Sequence, residues 1–297
     1  MLSIPYTNDG STDAPKLRFY LNEDNLADLR EDSRWSAKLW PEAGDSLRED
    51  GFHGIQLTTS APAQVAGFPH CALGRVNVAD EADAVIGRHA GLGHTCLTLH
   101  AGWGIEDDET VDRIVEAILL ASEKYRLPVY LETHRATLTQ DIWRTVRLVE
   151  RFPGIRFNGD FSHYYTGQEI VYGGLERKLD FLGPVLDRVA FMHARIGSPG
   201  NIQMAIGSGR ERPPSAVGDI NFLADFKAIW TRAFQGFRRN SRPGDYLIFC
   251  PELLSRKHYY ARCFPGPDGR PVEESDRYAE ALAYLEIARE CWAAAEV

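Results

Sequence analysis

The sequence predicts a single (β/α)8 barrel, a closed parallel sheet of eight strands ringed by helices. Three observations predict it. Short apolar runs of β character alternate with amphipathic stretches at the helical period, which is the pattern of parallel βα units. Eight such runs are spread along the 297 residues, a length that one α/β barrel routinely uses. The fourth to eighth runs each end in histidine or a carboxylate, and a barrel brings its strand ends to one rim.

In chain order, the strands are expected at Leu17–Leu21, Gly54–Leu57, Ala72–Asn77, Cys96–His100, Val129–Glu132, Arg156–Asp160, Val189–His193 and Tyr246–Cys250. Gly74 and Arg75 interrupt the third. Between the strands, Val111, Ile114, Val115, Ile118 and Leu119 recur at i, i+3, i+4, i+7 and i+8, one face of a helix. Ile142, Val146 and Val149 form a second stripe, and Tyr278, Ala281, Leu282 and Leu285 a third. Asp108 and Ser275 are the expected caps of the first and last of these helices. Trp230, Phe234 and Phe237 precede the eighth strand at i, i+4 and i+7. They read either as an exposed interface of an oligomer or as the packing face of a helix. The glycine- and proline-rich stretch Gly197–Gly218 follows the seventh strand and is expected at the C-terminal face as a lid or oligomer contact. Cys263–Pro271 follows the eighth strand and rims the same face. No internal repeat or linker divides residues 1–297.

Composition excludes several classes. With 33 Lys+Arg against 42 Asp+Glu the formal net charge is −9, opposite to the basic surface that a duplex binder needs. Cys71, Cys96, Cys250, Cys263 and Cys291 are odd in number and lack a CxxC pair, which argues against a disulfide framework and for a reducing compartment. The N-terminal MLSIPYTNDGSTDAP lacks the basic and apolar regions of a signal peptide, and no run approaches the ~18 apolar residues of a membrane span. A cytoplasmic protein with no nucleic-acid or membrane partner is predicted. Of the six lysines, Lys16, Lys38, Lys124, Lys178, Lys227 and Lys257, none ends an expected strand, which disfavours Schiff-base chemistry. GxSxG and GxxxxGK motifs are absent. The GSPG and GSGR pieces of the long loop could cradle an anion only if a helix N-terminus backed them.

The strand ends carry the chemistry. LTLHAGWG supplies His100 and Trp103, YLETHR supplies Glu132 and His134, and FNGDFSHYY supplies Asp160 and His163. FMHARIG and FCPELL add His193, Arg195 and Glu252. A lone strand-end acid is ordinarily a solvated charge, and a lone histidine a satisfied core residue. Three acids gathered on one rim repel one another unless a cation compensates. Glu132, Asp160, His193 and Glu252 are therefore the expected ligands of a divalent ion. Oxygen-rich ligation with one imidazole suits Mn2+, Mg2+ or Co2+ better than a structural Zn2+. Trp103, Tyr164 and Tyr165 are candidate walls for a sugar face. His134 and Arg135 are placed behind the ligands or on substrate hydroxyls.

The LETH, NGDFSH, MHARIG and PELL segments resemble the xylose-isomerase-like barrel superfamily of sugar isomerases, ketose 3-epimerases, inosose dehydratases and endonuclease IV enzymes. The resemblance runs from about Leu17 to Trp292 in strand order, and Asp160-x-x-His163 is its most specific spacing. It implies that Glu132, Asp160, His193 and Glu252 bind a catalytic divalent metal and that His163 and Arg195 hold substrate. From the residues themselves, Mn2+ is the ion expected, and His100, Trp103 and His134 are further candidate substrate contacts. The endonuclease branch needs an Asp-x-His pair after the seventh strand, and no histidine lies between His193 and His258.

The activity expected is isomerisation or epimerisation of a ketose or related keto-sugar, with proton transfer through an enediolate. Glu132 and Glu252 are the expected proton carriers. A metal-dependent lyase or dehydratase of a keto-sugar, inosose or keto-glycoside would use the same residues. A non-catalytic sugar-binding barrel is the alternative from another class, and a homo-oligomer is compatible with all of them.

Overall fold

A computed structural model describes residues 2–35, 38–65, 67–207, 216–217 and 220–296. Eight strands close into a barrel: β1 (Lys16–Asn22), β2 (Gly54–Leu57), β3 (His70–Val76), β4 (Leu97–Ala101), β5 (Val129–Glu132), β6 (Phe157–Asn158), β7 (Val189–Ala194) and β8 (Tyr246–Pro251). They pair in parallel around the ring, and β1 closes on β8 with Leu17 opposite Leu247 and Phe19 opposite Phe249. The chain thus adopts the expected (β/α)8 TIM-barrel fold. The interrupted third strand forms, with Gly74 and Arg75 inside it. In β2 the leading glycine is required by packing, because a Cβ on Gly54 would lie 2.5 Å from the Tyr20 ring and 2.7 Å from the Pro69 carbonyl.

The helices flank this sheet as their stripes predict. In α3 (Asp108–Tyr125) the residues Val111, Ile114, Val115, Ile118 and Leu119 are all buried. Its cap is Asp107 rather than Asp108, since the Asp107 side chain takes the Thr110 amide. The last helix, α9 (Arg277–Ala294), is capped by Asp276 rather than Ser275 through the Tyr278 amide. Both differences are of one residue, within the slack of any sequence reading of helix ends. Between these lies α8 (Phe222–Asn240), whose Trp230, Phe234 and Phe237 are buried against Phe249 and Trp292. That stripe is therefore core, and the oligomer-interface reading of it is set aside.

Two features shape the ends of the barrel. The segment before β1 crosses the N-terminal end, where the Thr7 amide donates to Tyr130 Oη at 2.8 Å and the Tyr246 amide to the Thr7 carbonyl at 2.9 Å. At the C-terminal mouth, Cys263–Pro265 and Pro271–Glu273 pair as a small hairpin on the rim. Within the long loop, residues 208–215 and 218–219, including most of GSGR, lie outside the described residues. GSPG folds on itself, with the Ser198 amide donating to the Asn201 carbonyl. All five cysteines are unpaired, and among the described residues no helix is long and apolar enough to cross a membrane.

Candidate active site

The polar residues gather at the C-terminal ends of the strands. Glu132 is the last residue of β5, His193 lies one from the end of β7, and Glu252 follows β8 directly. Asp160 is lifted over the mouth because β6 stops after two residues. Gly159 still donates to the Phe191 carbonyl at 2.8 Å, but the Asp160 amide turns back to the Asn158 carbonyl at 3.2 Å. Asp160 then accepts from the Ser162 amide at 3.1 Å and from its hydroxyl, at the start of the short helix α5 (Ser162–Gly167). That helix places His163 three residues on and on the same face, with Nε2 at 3.5 Å from Asp160 Oδ2.

Distances join these groups into one cluster. His100 Nε2 lies 3.0 Å from Glu132 Oε1, and His193 Nδ1 lies 3.1 Å from Glu132 Oε2 and 3.5 Å from Glu252 Oε2. Potential ligand atoms fall within 4.8 Å of one another in three overlapping sets: His100, Glu132 and His134; Glu132, Asp160 and His163; and Asp160, His193 and Glu252. The quartet expected from sequence spans the second and third sets. Burial is nearly complete: Glu132, Asp160, His163, His193 and Arg195 are each at most 2% exposed. His100 and His134 are the partly open members.

Hydrogen bonds fix which nitrogen of His193 faces the acids. The Asp24 amide takes Asn22 Oδ1, so Asn22 Nδ2 is the donor to Gln56 Oε1 at 2.9 Å and to Glu252 Oε1 at 3.2 Å. Gln56 Nε2 donates to Thr98 Oγ1 at 2.8 Å, which leaves Oε1 as the acceptor for His193 Nε2–H at 2.7 Å. In the neutral ring, Nδ1 therefore carries the lone pair. Asn158 makes the same demand independently, since its Oδ1 accepts from the His193 amide at 2.8 Å and its Nδ2 points at Nδ1 from 2.9 Å. An imidazole lone pair facing two carboxylates is repulsive unless a proton or a metal cation lies between them. A hydrogen-bond acceptor behind the opposite nitrogen is how metal-binding imidazoles are held.

The electrostatics agree that this site pulls in positive charge. Burial disfavours imidazolium at His193, yet Glu252 and Glu132 outweigh it and push the group up to about 9. Burial also opposes ionisation of Glu132, but His100 and His193 hold its carboxyl well below the usual range. For Glu252 burial wins over His193 and Arg195, raising it to about 6. His134 behaves oppositely: burial and the neighbouring His163 push it down to about 3. Its Nδ1 accepts from the Ala136 amide at 3.0 Å, so Nε2 carries the hydrogen and is a donor, not a metal ligand. The His134 ring packs between His163, at 3.9 Å between centroids, and His100, at 4.6 Å.

The residue types and the inward Nδ1 fit a hard divalent cation. One positive group already reaches the same atoms, because Arg195 Nη2 donates to Asp160 Oδ2 at 2.6 Å and also to Glu252 Oε2. The Arg195 guanidinium lies over the Tyr260 ring, 4.8 Å from its centroid.

The expected sugar walls change. Tyr164 and Tyr165 are buried away from the acids, with their hydroxyls bonded to the Thr139 carbonyl at 2.8 Å and to Asp225. Trp103 stays half-exposed on the rim, and Arg135 is exposed. Sequence reasoning missed Asn22, Gln56, Asn158 and Tyr260. A glutamine within the apolar GIQL strand and an asparagine ending β1 were the available signals for two of them.

No family model matches the sequence, and no curated protein is significantly similar to it. Solved structures do share the fold. A probable 3-DHS dehydratase from Bacillus anthracis superposes with a TM-score of 0.52 at 15% identity, covering 81% of this chain and 94% of its own. A D-tagatose 3-epimerase-like protein gives 0.52 at 12% identity, with 93% and 98% covered. A xylose isomerase-like TIM barrel protein from Mycobacterium smegmatis in complex with magnesium gives 0.50 at 12%, with 95% and 98% covered. At these identities the likeness is one of fold, the (β/α)8 barrel.

Proposed function

We propose that this protein is a divalent-metal-dependent isomerase or epimerase of a ketose or related keto-sugar, with Mn2+ as the preferred ion. One observation carries the reading. The buried Glu132 and Glu252 carboxylates face the inward Nδ1 of His193, whose opposite nitrogen is fixed by Gln56, and Asp160 belongs to the same set of potential ligands as His193 and Glu252. Glu132, Asp160, His193 and Glu252 would hold the ion, which when bound supplies Lewis-acid polarisation of adjacent substrate oxygens.

The chain's own residues account for the remaining steps. Glu132 and Glu252 flank His193 from β5 and from the end of β8, so two carboxylates reach the substrate carbon from different sides. One takes the proton beside the carbonyl and the other returns one to the opposite face, which is the requirement of epimerisation. His100 bonds to Glu132 Oε1 at 3.0 Å and orients it. His134, a neutral donor, and His163, whose buried Nδ1 has no partner among the described residues, would bind substrate oxygens.

A second reading is a lyase or dehydratase that uses the same proton abstraction to expel a β-leaving group. The fold-level likeness to a probable 3-DHS dehydratase favours including it. The test is a panel of ketoses, inososes and keto-glycosides with Mn2+-loaded protein, followed by NMR in D2O. Deuterium in recovered sugar supports the isomerase or epimerase, and loss of water or an aglycone supports the lyase. Binding without either change would mean a sugar-binding barrel.

A further inference from the structure

Arg195 is the charged group in the cluster whose bonding falls furthest short of its burial. It is 1% exposed, yet among the described residues its Nε and Nη1 have no hydrogen-bond partner, and only Nη2 is engaged. Buried arginine that serves structure is ordinarily saturated. Arg277 provides the comparison within the same chain. At 2% exposure it bonds Glu273 through Nε, the carbonyls of Asp24, Asn25 and Leu253 through Nη1, and that of Ala27 through Nη2. Arg195 instead extends a single nitrogen between Asp160 Oδ2 and Glu252 Oε2. Those carboxylates belong to the same three-residue set as His193, whose ligand atoms lie within 4.8 Å of one another.

We propose that Arg195 is a displaceable internal counter-ion, its guanidinium holding the seat between Asp160 and Glu252 that a divalent cation takes, so that metal binding and withdrawal of Arg195 are one event. The proposal rests on the metal reading given above. Without the metal, Arg195 keeps two buried carboxylates from facing each other uncompensated. With it, the same two acids cannot serve both cations through the same oxygens, and the guanidinium is released with all its donors free beside the Tyr260 ring. It would then be available to a substrate oxygen or anionic group next to the ion. Arginine at this place thus makes the site select for metal and substrate together, at a cost in metal affinity.

The test is calorimetric titration of Mn2+ into chelator-stripped wild-type protein, Arg195→Met and Arg195→Gln, with thermal melts of each with and without Mn2+. Gln is included because it retains a neutral donor to the acids should Met fail to fold. Removing the competing cation should tighten Mn2+ binding at least tenfold in the folded variants and enlarge the rise in melting temperature on adding Mn2+. One equivalent bound with unchanged or weaker affinity in both variants overturns the counter-ion role and leaves the metal reading standing. Absence of saturable binding in all three folded proteins overturns both.

Discussion

Gln56→Leu separates the positioning of His193 from its mere presence. Leucine fills much the same volume in a fully buried place but removes the acceptor of His193 Nε2 (2.7 Å) and of Asn22 Nδ2 (2.9 Å) and the donor to Thr98 (2.8 Å). Asn22 keeps its bond to Glu252 Oε1 at 3.2 Å, and Thr98 keeps the Ala72 carbonyl at 3.4 Å, so only the imidazole N–H is fully orphaned. One orphaned buried donor costs ~1–3 kcal/mol. At the response of a domain this large, that lowers the melting temperature by roughly 2–5 °C. The functional effect is larger in proportion: losing the partner that orients a ligating imidazole costs about 10–100-fold in metal affinity. Calorimetric Mn2+ titration beside a melt reads both. A variant with the expected stability loss and wild-type Mn2+ affinity would refute the argument that Gln56 turns Nδ1 inward for a cation.

Further outcomes follow from other parts of the molecule. Glu132→Gln and Glu252→Gln should each abolish turnover in the substrate panel while circular dichroism stays native, because each removes a proton carrier. Glu280, whose Oε2 accepts the Ile206 amide at 3.1 Å, is pushed by burial from 4.5 up to about 7. Across that window the folded state keeps a proton that the unfolded state has released, so stability falls as pH rises, by at most about 3 kcal/mol. Glu280→Gln should flatten that fall and raise the melting temperature at pH 8, which melts across pH 5–8 will read. Trp230→Ala should cost ~3–5 kcal/mol in denaturant unfolding, since the indole is buried against Phe249, 5.1 Å between centroids, and Tyr284.

What the sequence made legible follows from what is periodic or costly to bury. Strand positions were readable because apolar runs such as VYLE and VAFMHA are buried from end to end. The acids were readable because charge at a strand end needs a reason. β6 was overestimated, at Arg156–Asp160 against Phe157–Asn158, because its bonding to β7 ends after Gly159, where the Asp160 amide turns back to Asn158 and carries Asp160 over the mouth. Tyr164 and Tyr165 look like rim aromatics in sequence, but the short helix α5 turns both inward. The caps slipped by one residue wherever two polar residues adjoin, at Asp107–Asp108 and Ser275–Asp276. Least legible was the neutral lattice of Asn22, Gln56, Thr98 and Asn158. Amides and hydroxyls bear no charge to flag them, and their function lies in which atom faces which neighbour. Arg195 was placed near substrate by resemblance, whereas its contact with two acids depends on a geometry that spacing alone does not convey.

The central claim is that Glu132, Asp160, His193 and Glu252 hold a divalent cation. Its most direct test is elemental analysis of folded wild-type protein and Asp160→Asn after equilibration with excess Mn2+ and gel filtration into a constant free Mn2+ concentration. The account predicts about one equivalent of metal on the wild-type chain, and a clear loss of it in Asp160→Asn at the same free concentration. Wild-type protein that emerges folded and without stoichiometric metal at saturating Mn2+ would contradict it.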